Sequence, residues 1–231
     1  YHSRSAHIVN STSVNNPTLW DYAGSAGKKS TVLGVPQTYP PRPINGILVA
    51  SFLTPSKELP FTYPADIKEE LESIGKGEYI IDLENFRNPD KDALLRQIYA
   101  MTEKRFAVIN RWIEDKEWDL FIAVEMAPDR LHHAFWQYCN ADHPLYEEGN
   151  QYEEVFLDYY RFLDRLIGEL ISGLEPETRF LVVSDHGAQS LRGTFFLNDW
   201  LISHGYLTLK TRPERPAILS EENVDWEQTR V

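Results

Sequence analysis

Two clusters of acidic and histidine side chains stand out in the sequence because each follows an apolar run. The stretch RFLVVSDHG (179–187) ends in Asp185 and His186, and a second run, LFIAV (120–124), is followed by Asp129 and His133. Carboxylate and imidazole groups together suit zinc or manganese better than a soft thiolate-binding metal. The residue types therefore indicate a metal site built from two Asp/His pairs.

The spacing within each pair is compatible with metal binding. Asp129 and His133 are four residues apart at the start of a predicted helix, so both side chains lie on one face, one turn apart, and can hold one cation. Asp185 and His186 are adjacent, which requires the backbone to turn sharply, and Gly187 permits that turn. Each pair has a structural alternative: Asp129 can stabilise a helix N-terminus, and Asp-His-Gly can be an ordinary turn. Their joint occurrence after two apolar runs favours the two-metal interpretation.

The elements that must position these residues alternate between strand and helix. Strands are predicted over 30–35, 47–52, 79–83, 119–124, 180–183 and 206–209. Helices are predicted over 17–26, 64–74, 90–116, 150–174 and 193–204, with a further helix opened by Pro128. This alternation predicts an α/β fold with a mostly parallel sheet and helices on both faces. Ligands of such sheets collect at the carboxyl ends of the strands.

The chain shows no internal repeat and no linker that divides it cleanly. We expect a loose N-terminal segment over 1–16, a partial α/β domain over 17–210 and a peripheral polar tail over 211–231. The domain includes a proline-rich excursion over 36–64, where the density of proline excludes a regular helix.

Charge narrows the class of partner. The 231 residues include 35 acidic and 23 basic side chains, for a formal net charge of -12. Such a surface repels the backbone of a nucleic-acid duplex, and a phosphorylated substrate needs cations to approach it. The composition therefore favours a small phosphorylated substrate bound with the help of metals, and it leaves the oligomeric state open.

Cysteine content and hydropathy bear on location. Cys139 is the only cysteine, so the chain forms no internal disulfide and no thiolate zinc site. The apolar runs are too short to span a bilayer. We therefore predict a cytoplasmic location without membrane insertion.

The motifs also resemble a known family. SDHG after an apolar run, with DxxxH upstream after another, is similar to the alkaline phosphatase superfamily, and most closely to its type I phosphodiesterase and nucleotide pyrophosphatase branch. The resemblance to a subgroup of predicted phosphohydrolases in that branch extends over most of the chain from Pro17. It is carried by PQTYPPRPINGILVASFLTP (36–55), PDRLHHAFW (128–136), FFLNDWLISHGYL (195–207) and DWEQTR (225–230).

The resemblance implies a hydrolase that cleaves phosphodiester or pyrophosphate bonds with two divalent ions, usually zinc, held about 4 Å apart. It assigns Asp129 and His133 to one ion and Asp185 and His186 to the other. His132 does not fit the ligand spacing, so we expect it to pack or form a hydrogen bond nearby. We expect a packing role for Trp136 as well.

Three parts of the family pattern have no match in this sequence. They are an early Asp after the first strand, a Thr or Ser nucleophile at the start of a helix, and a late His ligand. The N-terminal hydroxyl residues lack the preceding apolar strand, and His204 lies in the wrong order for the late ligand. We therefore expect the chain to be the middle of a larger enzyme, with each ion lacking ligands, and to be inactive on its own.

Two alternatives stay open at this point. One is another member of the superfamily, either a cofactor-independent phosphoglycerate mutase or a sulfatase. The mutases usually read ADHGN where this chain has SDHGA. The modifiable cysteine of a sulfatase should follow a strand, and Cys139 does not. The other alternative is a non-catalytic binding domain on a degenerate phosphatase scaffold, against which the intact Asp/His pairs argue.

Overall fold

A computed structural model describes residues 8–191 and 193–230 and shows an α/β fold. The sheet consists of β1 (Ser30–Leu33), β2 (Gly46–Val49), β3 (Thr62–Tyr63) and β4 (Leu120–Ala123), in the order β3-β2-β1-β4. β1 runs parallel to β2 and to β4, and β3 pairs antiparallel with β2. The prediction of an α/β fold with a mostly parallel sheet is confirmed.

The helices lie close to where their sequence signals predict them. They are α1 (Leu19–Ser25), α2 (Ile67–Ile74), α3 (Lys91–Asp115), α4 (Ala127–Cys139), α5 (Val155–Ser172) and α6 (Leu197–Ser203). The side chain of Asp90 caps α3 by accepting a hydrogen bond from the Ala93 amide. Pro128 occupies the first turn of α4, where a missing amide proton costs least.

Helix α3 connects the two halves of the core. Its first half buries Leu94, Ile98 and Met101 in a cluster shared with α4 and α5, to which Phe135 and Tyr159 contribute. Its second half packs against β1, β2 and α2, through Val108, Ile109, Trp112, Leu33, Val49 and Leu71. The helix that follows β4 is thereby held against the same long helix that supports the sheet.

The pairing of β1 with β2 depends on a glycine. Gly46 has a φ of +139°, and a Cβ atom added there would lie 2.0 Å from the carbonyl oxygen of Ser30. No side chain fits at that distance, so glycine is required for the two strands to approach at this register. Gly46 begins β2, which together with β3 is contributed by the proline-rich segment 36–64.

Three predicted strands are wrong. Residues 180–183 lie outside the sheet, and the side chains of Leu181, Val182 and Val183 are 84%, 75% and 86% exposed. Residues 79–83 are irregular although Tyr79 is buried, and the stretch 206–209 forms only one bridge, between Leu209 and Val224. The physical reason is that the pattern of apolar and β-branched residues indicates only whether side chains would fit a sheet. A strand also needs a neighbouring strand for its backbone hydrogen bonds.

By its internal contacts the chain divides after Ala188. The second unit contains α6 and the Leu209–Val224 bridge, which is extended by a hydrogen bond from the Lys210 amide to the Asn223 carbonyl. The domain boundaries proposed from sequence stay predictions, and residues 1–7 of the predicted loose segment lie outside the described residues. Within the described ranges, no helix is long and apolar enough to cross a bilayer.

Candidate metal-binding site

The first Asp/His pair lies just beyond the carboxyl edge of the sheet. Because β1, β2 and β4 are parallel, they end on the same side, and β4 leads within a few residues into α4. Asp129 lies in the first turn of α4 and His133 one turn later. Nε2 of His133 is 3.4 Å from Oδ1 of Asp129.

This separation fits two ligands of one cation. Zinc binds imidazole nitrogen and carboxylate oxygen at about 2.0–2.2 Å, so two such ligands at tetrahedral angles have donor atoms about 3.4 Å apart. The His133 side chain is 59% exposed, which leaves its ring accessible to an ion from solvent. The pair thus has the spacing that two corners of a tetrahedral site require.

The second pair has the internal geometry of a metal-binding histidine. Nδ1 of His186 lies 2.9 Å from the carbonyl oxygen of Gly187, and since a carbonyl only accepts, Nδ1 donates its proton there. Nε2 lies 3.6 Å from Oδ2 of Asp185. Metal-binding histidines commonly donate one ring N–H to a backbone carbonyl and present the other nitrogen to the ion.

The two pairs are within electrostatic reach of each other. The pKa of His186 is raised, first by its hydrogen bond to Gly187, then by Asp185 and also by Asp129 on α4. The pKa of His132 is lowered, mainly by burial, and His186 contributes to that shift. Among residues 8–191 and 193–230, however, no three His, Cys, Asp or Glu side chains lie close enough to hold one ion. The structure therefore brings each pair together as a two-ligand group.

His132 packs and forms a hydrogen bond, as the sequence predicts. Its ring contacts Trp136, Phe156 and Tyr160, at centroid distances of 5.6, 4.9 and 5.9 Å. Nε2 of His132 also lies 3.2 Å from the hydroxyl of Tyr160. Trp136 packs against His132 edge-on and against Phe156 at a tilt, so both residues have the packing role that the sequence predicts.

Sequence reasoning missed the arginine beside the first ligand. Arg130 donates from Nη1 to Oδ2 of Asp129 at 2.9 Å, and it binds both carboxylate oxygens of Asp82. An arginine next to an aspartate at a helix start was a visible signal. Asp82 carried none, because it lies 48 residues away in the chain.

The turn between β4 and α4 is held by a second buried arginine. Arg105 donates to the carbonyl oxygens of Val124 at 2.6 Å and Ile81 at 3.1 Å. Burial by itself would lower the pKa of Arg105, but Tyr79 and Glu125 outweigh it and the pKa is raised. Glu125 in turn accepts a hydrogen bond at 2.9 Å from the amide of Ala127, the first residue of α4. These contacts fix the direction in which α4 leaves the sheet.

A mostly parallel α/β sheet, in a chain with an Asp/His pair after each of two apolar runs, is characteristic of the alkaline phosphatase superfamily. The profile of the type I phosphodiesterase / nucleotide pyrophosphatase family matches residues 2–229, and the chain belongs to this family of hydrolases. Comparison with curated proteins and with solved structures gave no significant match. Family membership confirms the resemblance and favours this branch over the mutase and sulfatase alternatives.

Proposed function

We propose that the chain supplies metal-binding residues to an enzyme that hydrolyses phosphodiester or pyrophosphate bonds with two divalent ions. Asp129 and His133 hold one ion, and Asp185 and His186 hold the other. Zinc suits these donors, and manganese is the alternative. The observation that carries the proposal is the 3.4 Å separation of His133 Nε2 and Asp129 Oδ1, in a chain of this family.

The bound ions would stabilise negative charge on the phosphoryl oxygens and on an attacking or leaving oxygen. The chain's own residues hold the ions and set their charge environment. With a net charge of -12, the chain repels phosphates unless cations are present, so metal binding and substrate binding are coupled in this proposal. The substrate is a small phosphorylated molecule, neither a nucleic-acid duplex nor a membrane. Cys139, as a lone cysteine, suits the reducing cytoplasm, which we propose as the location.

The nucleophile is proposed to be a Thr or Ser outside these residues. The N-terminal hydroxyl residues Ser11, Thr12 and Ser13 form a short 3-10 turn and have structural partners. Ser11 donates to the Pro40 carbonyl at 2.6 Å, and Thr12 donates to the Asn10 side chain at 2.7 Å. The chain alone is therefore expected to be inactive towards phosphodiesters.

The first test is zinc binding by the chain, measured by competition with a chromophoric chelator. His133→Ala and His186→Ala should each weaken binding, whereas His143→Ala, at a half-buried histidine in the loop after α4, should leave it unchanged. Zinc binding that survives the combined loss of His133 and His186 would place the metal elsewhere and refute the proposed site.

The second test is activity in a longer protein that joins this chain to the segment with the nucleophile. That protein should hydrolyse an activated aryl phosphodiester, lose activity on exhaustive chelation, and regain it when zinc or manganese is restored. Full activity after chelation would contradict the metal dependence. Activity of the 231-residue chain alone would contradict the assignment of the nucleophile.

A further inference from the structure

Arg130 connects Asp129 to a second carboxylate that the metal-ligand motif does not include. Its Nε donates to Oδ1 of Asp82 at 2.8 Å, and its Nη2 donates to Oδ2 of the same residue at 2.6 Å. The remaining terminal nitrogen, Nη1, donates to Oδ2 of Asp129 at 2.9 Å. A planar guanidinium that forms two parallel hydrogen bonds with one carboxylate is held in one orientation, so the direction in which Nη1 donates is fixed as well.

This ion-pair group is shielded from water. The side chains of Arg130 and Asp82 are 10% and 19% exposed. The rings of Phe52 and Phe86 lie against the guanidinium, with centroids 5.3 and 5.4 Å from its central carbon. Salt and water screen charges weakly in such surroundings, so the arrangement keeps its orientation and its electrostatic effect on Asp129.

The consequence for Asp129 is that its two oxygens have different roles. Oδ2 is occupied by Arg130, whereas Oδ1 lies 3.4 Å from Nε2 of His133. Phe86 also contacts the His133 ring, at a centroid distance of 5.8 Å. The segment that contains Asp82 and Phe86 therefore contacts Arg130, which binds Asp129, and it also contacts the ring of His133.

Charge explains why a second carboxylate is needed. Arg130 paired with Asp129 alone would form a neutral pair, and its positive charge would repel a cation bound at Oδ1. Asp82 balances the guanidinium, so the group of three retains one net negative charge next to His133. Resting on the proposed function, we infer that Asp82 is a positioning residue. Through Arg130 it directs Oδ1 of Asp129 to the cation and cancels the positive charge that would oppose binding.

The experiment measures zinc affinity of the chain by chelator competition and, in parallel, its thermal unfolding in the presence of chelator. Asp82→Asn should lower zinc affinity about 10- to 100-fold, as loss of a group that supports a metal ligand commonly does. The matched control is Glu70→Gln. Glu70 forms another partly buried ion pair, with Lys116 at 2.6 Å, between α2 and α3. It should lower the unfolding temperature and leave zinc affinity unchanged.

A double variant separates charge balance from a merely structural contact. Adding Arg130→Met to Asp82→Asn removes the unbalanced positive charge, so zinc affinity should rise above that of Asp82→Asn although another buried contact is lost. A structural contact alone predicts no recovery.

If Asp82→Asn does not fold, Arg130→Lys replaces it, because lysine keeps the charge but cannot bridge both carboxylates. Arg130→Lys should then weaken zinc binding by a similar factor.

The outcomes distinguish this inference from the proposed function. Zinc binding that is absent from the unaltered chain, or that survives Asp129→Asn and His133→Ala, refutes the proposed site. Zinc binding that depends on Asp129 and His133 but is unchanged in Asp82→Asn, or falls further in the double variant, overturns only the role of Asp82.

Discussion

Nε2 of His133 lies 3.4 Å from Oδ1 of Asp129. This distance exceeds the usual N–H···O hydrogen-bond range of about 2.7–3.2 Å, but it matches two ligands of one tetrahedral ion. The two side chains meet because they are four residues apart on helix α4. The direction of that helix is held by Arg105 and Glu125.

The adjacent histidines of α4 should differ in function. His133→Ala removes a candidate ligand and should lower zinc affinity at least about tenfold, because a two-ligand group becomes a single carboxylate. His132→Ala should leave zinc affinity nearly unchanged but reduce the free energy of unfolding by about 0.5–1.5 kcal/mol, since it removes aromatic contacts. Chelator competition and urea unfolding of both variants measure the two effects. A reversed pattern would identify His132 as the ligand.

Asp185 should matter for catalysis in the longer protein that carries the nucleophile. Asp185→Asn preserves shape but removes the charge of a proposed ligand, so kcat for an activated aryl diester should fall by about 10²-fold or more. The fall should persist when zinc is added in excess. Asp142→Asn, at an exposed aspartate in the loop after α4, is the control and should retain full activity. Full activity of Asp185→Asn would show that this aspartate is not part of the catalytic machinery.

The buried phenol of Tyr159 should make the fold sensitive to alkali. Burial raises the pKa of Tyr159 well above that of a free tyrosine, which is about 10. The unfolded chain then loses this proton first, so the stability contributed by the neutral phenol is complete below about pH 10 and declines as the pH rises further. Urea unfolding between about pH 8 and about pH 11 should show this decline.

Tyr159→Phe should make that alkaline decline less steep, because one buried phenol is removed while Tyr79, whose pKa is also raised by burial, remains. It should also cost about 0.5–1.5 kcal/mol at neutral pH, since the hydroxyl lies 2.8 Å from Oγ1 of Thr102 in a hydrogen bond. Tyr22→Phe, at an exposed tyrosine, should keep the decline of the unaltered protein. An equally steep decline in Tyr159→Phe would assign the alkaline sensitivity to other groups.

Two glycines should respond in opposite ways to alanine. Gly46→Ala forces a Cβ atom against the Ser30 carbonyl at a positive φ, and should destabilise the protein by more than about 1–3 kcal/mol. Gly168→Ala, in open space on α5, should stabilise it by about 0.5–1 kcal/mol because alanine has the higher helix propensity. Urea unfolding of both variants provides the comparison. A mild effect at Gly46 would mean that β1 and β2 are less closely apposed than described.

Local signals in the sequence were sufficient for several features of the protein. The apolar stripe predicted α3 to within one residue at each end, because helical periodicity is a local property of the chain. The pairing of Asp129 with His133 was predictable for the same reason, since a helix brings residues four apart onto one face. The alternation of strands and helices predicted the α/β class, and the motifs predicted the family.

Only the tertiary structure decided which distant residues meet. Asp82 reaches Arg130 across 48 residues of sequence, and no local pattern encodes that contact. The apolar run 180–183 has the composition of a strand and yet lies outside the sheet, because a strand requires a neighbour with free backbone groups. A local sequence pattern predicts contacts only between residues a few positions apart, because helix and strand geometry fixes only those distances. The partners of a buried charge or of a strand are set by how the whole chain packs.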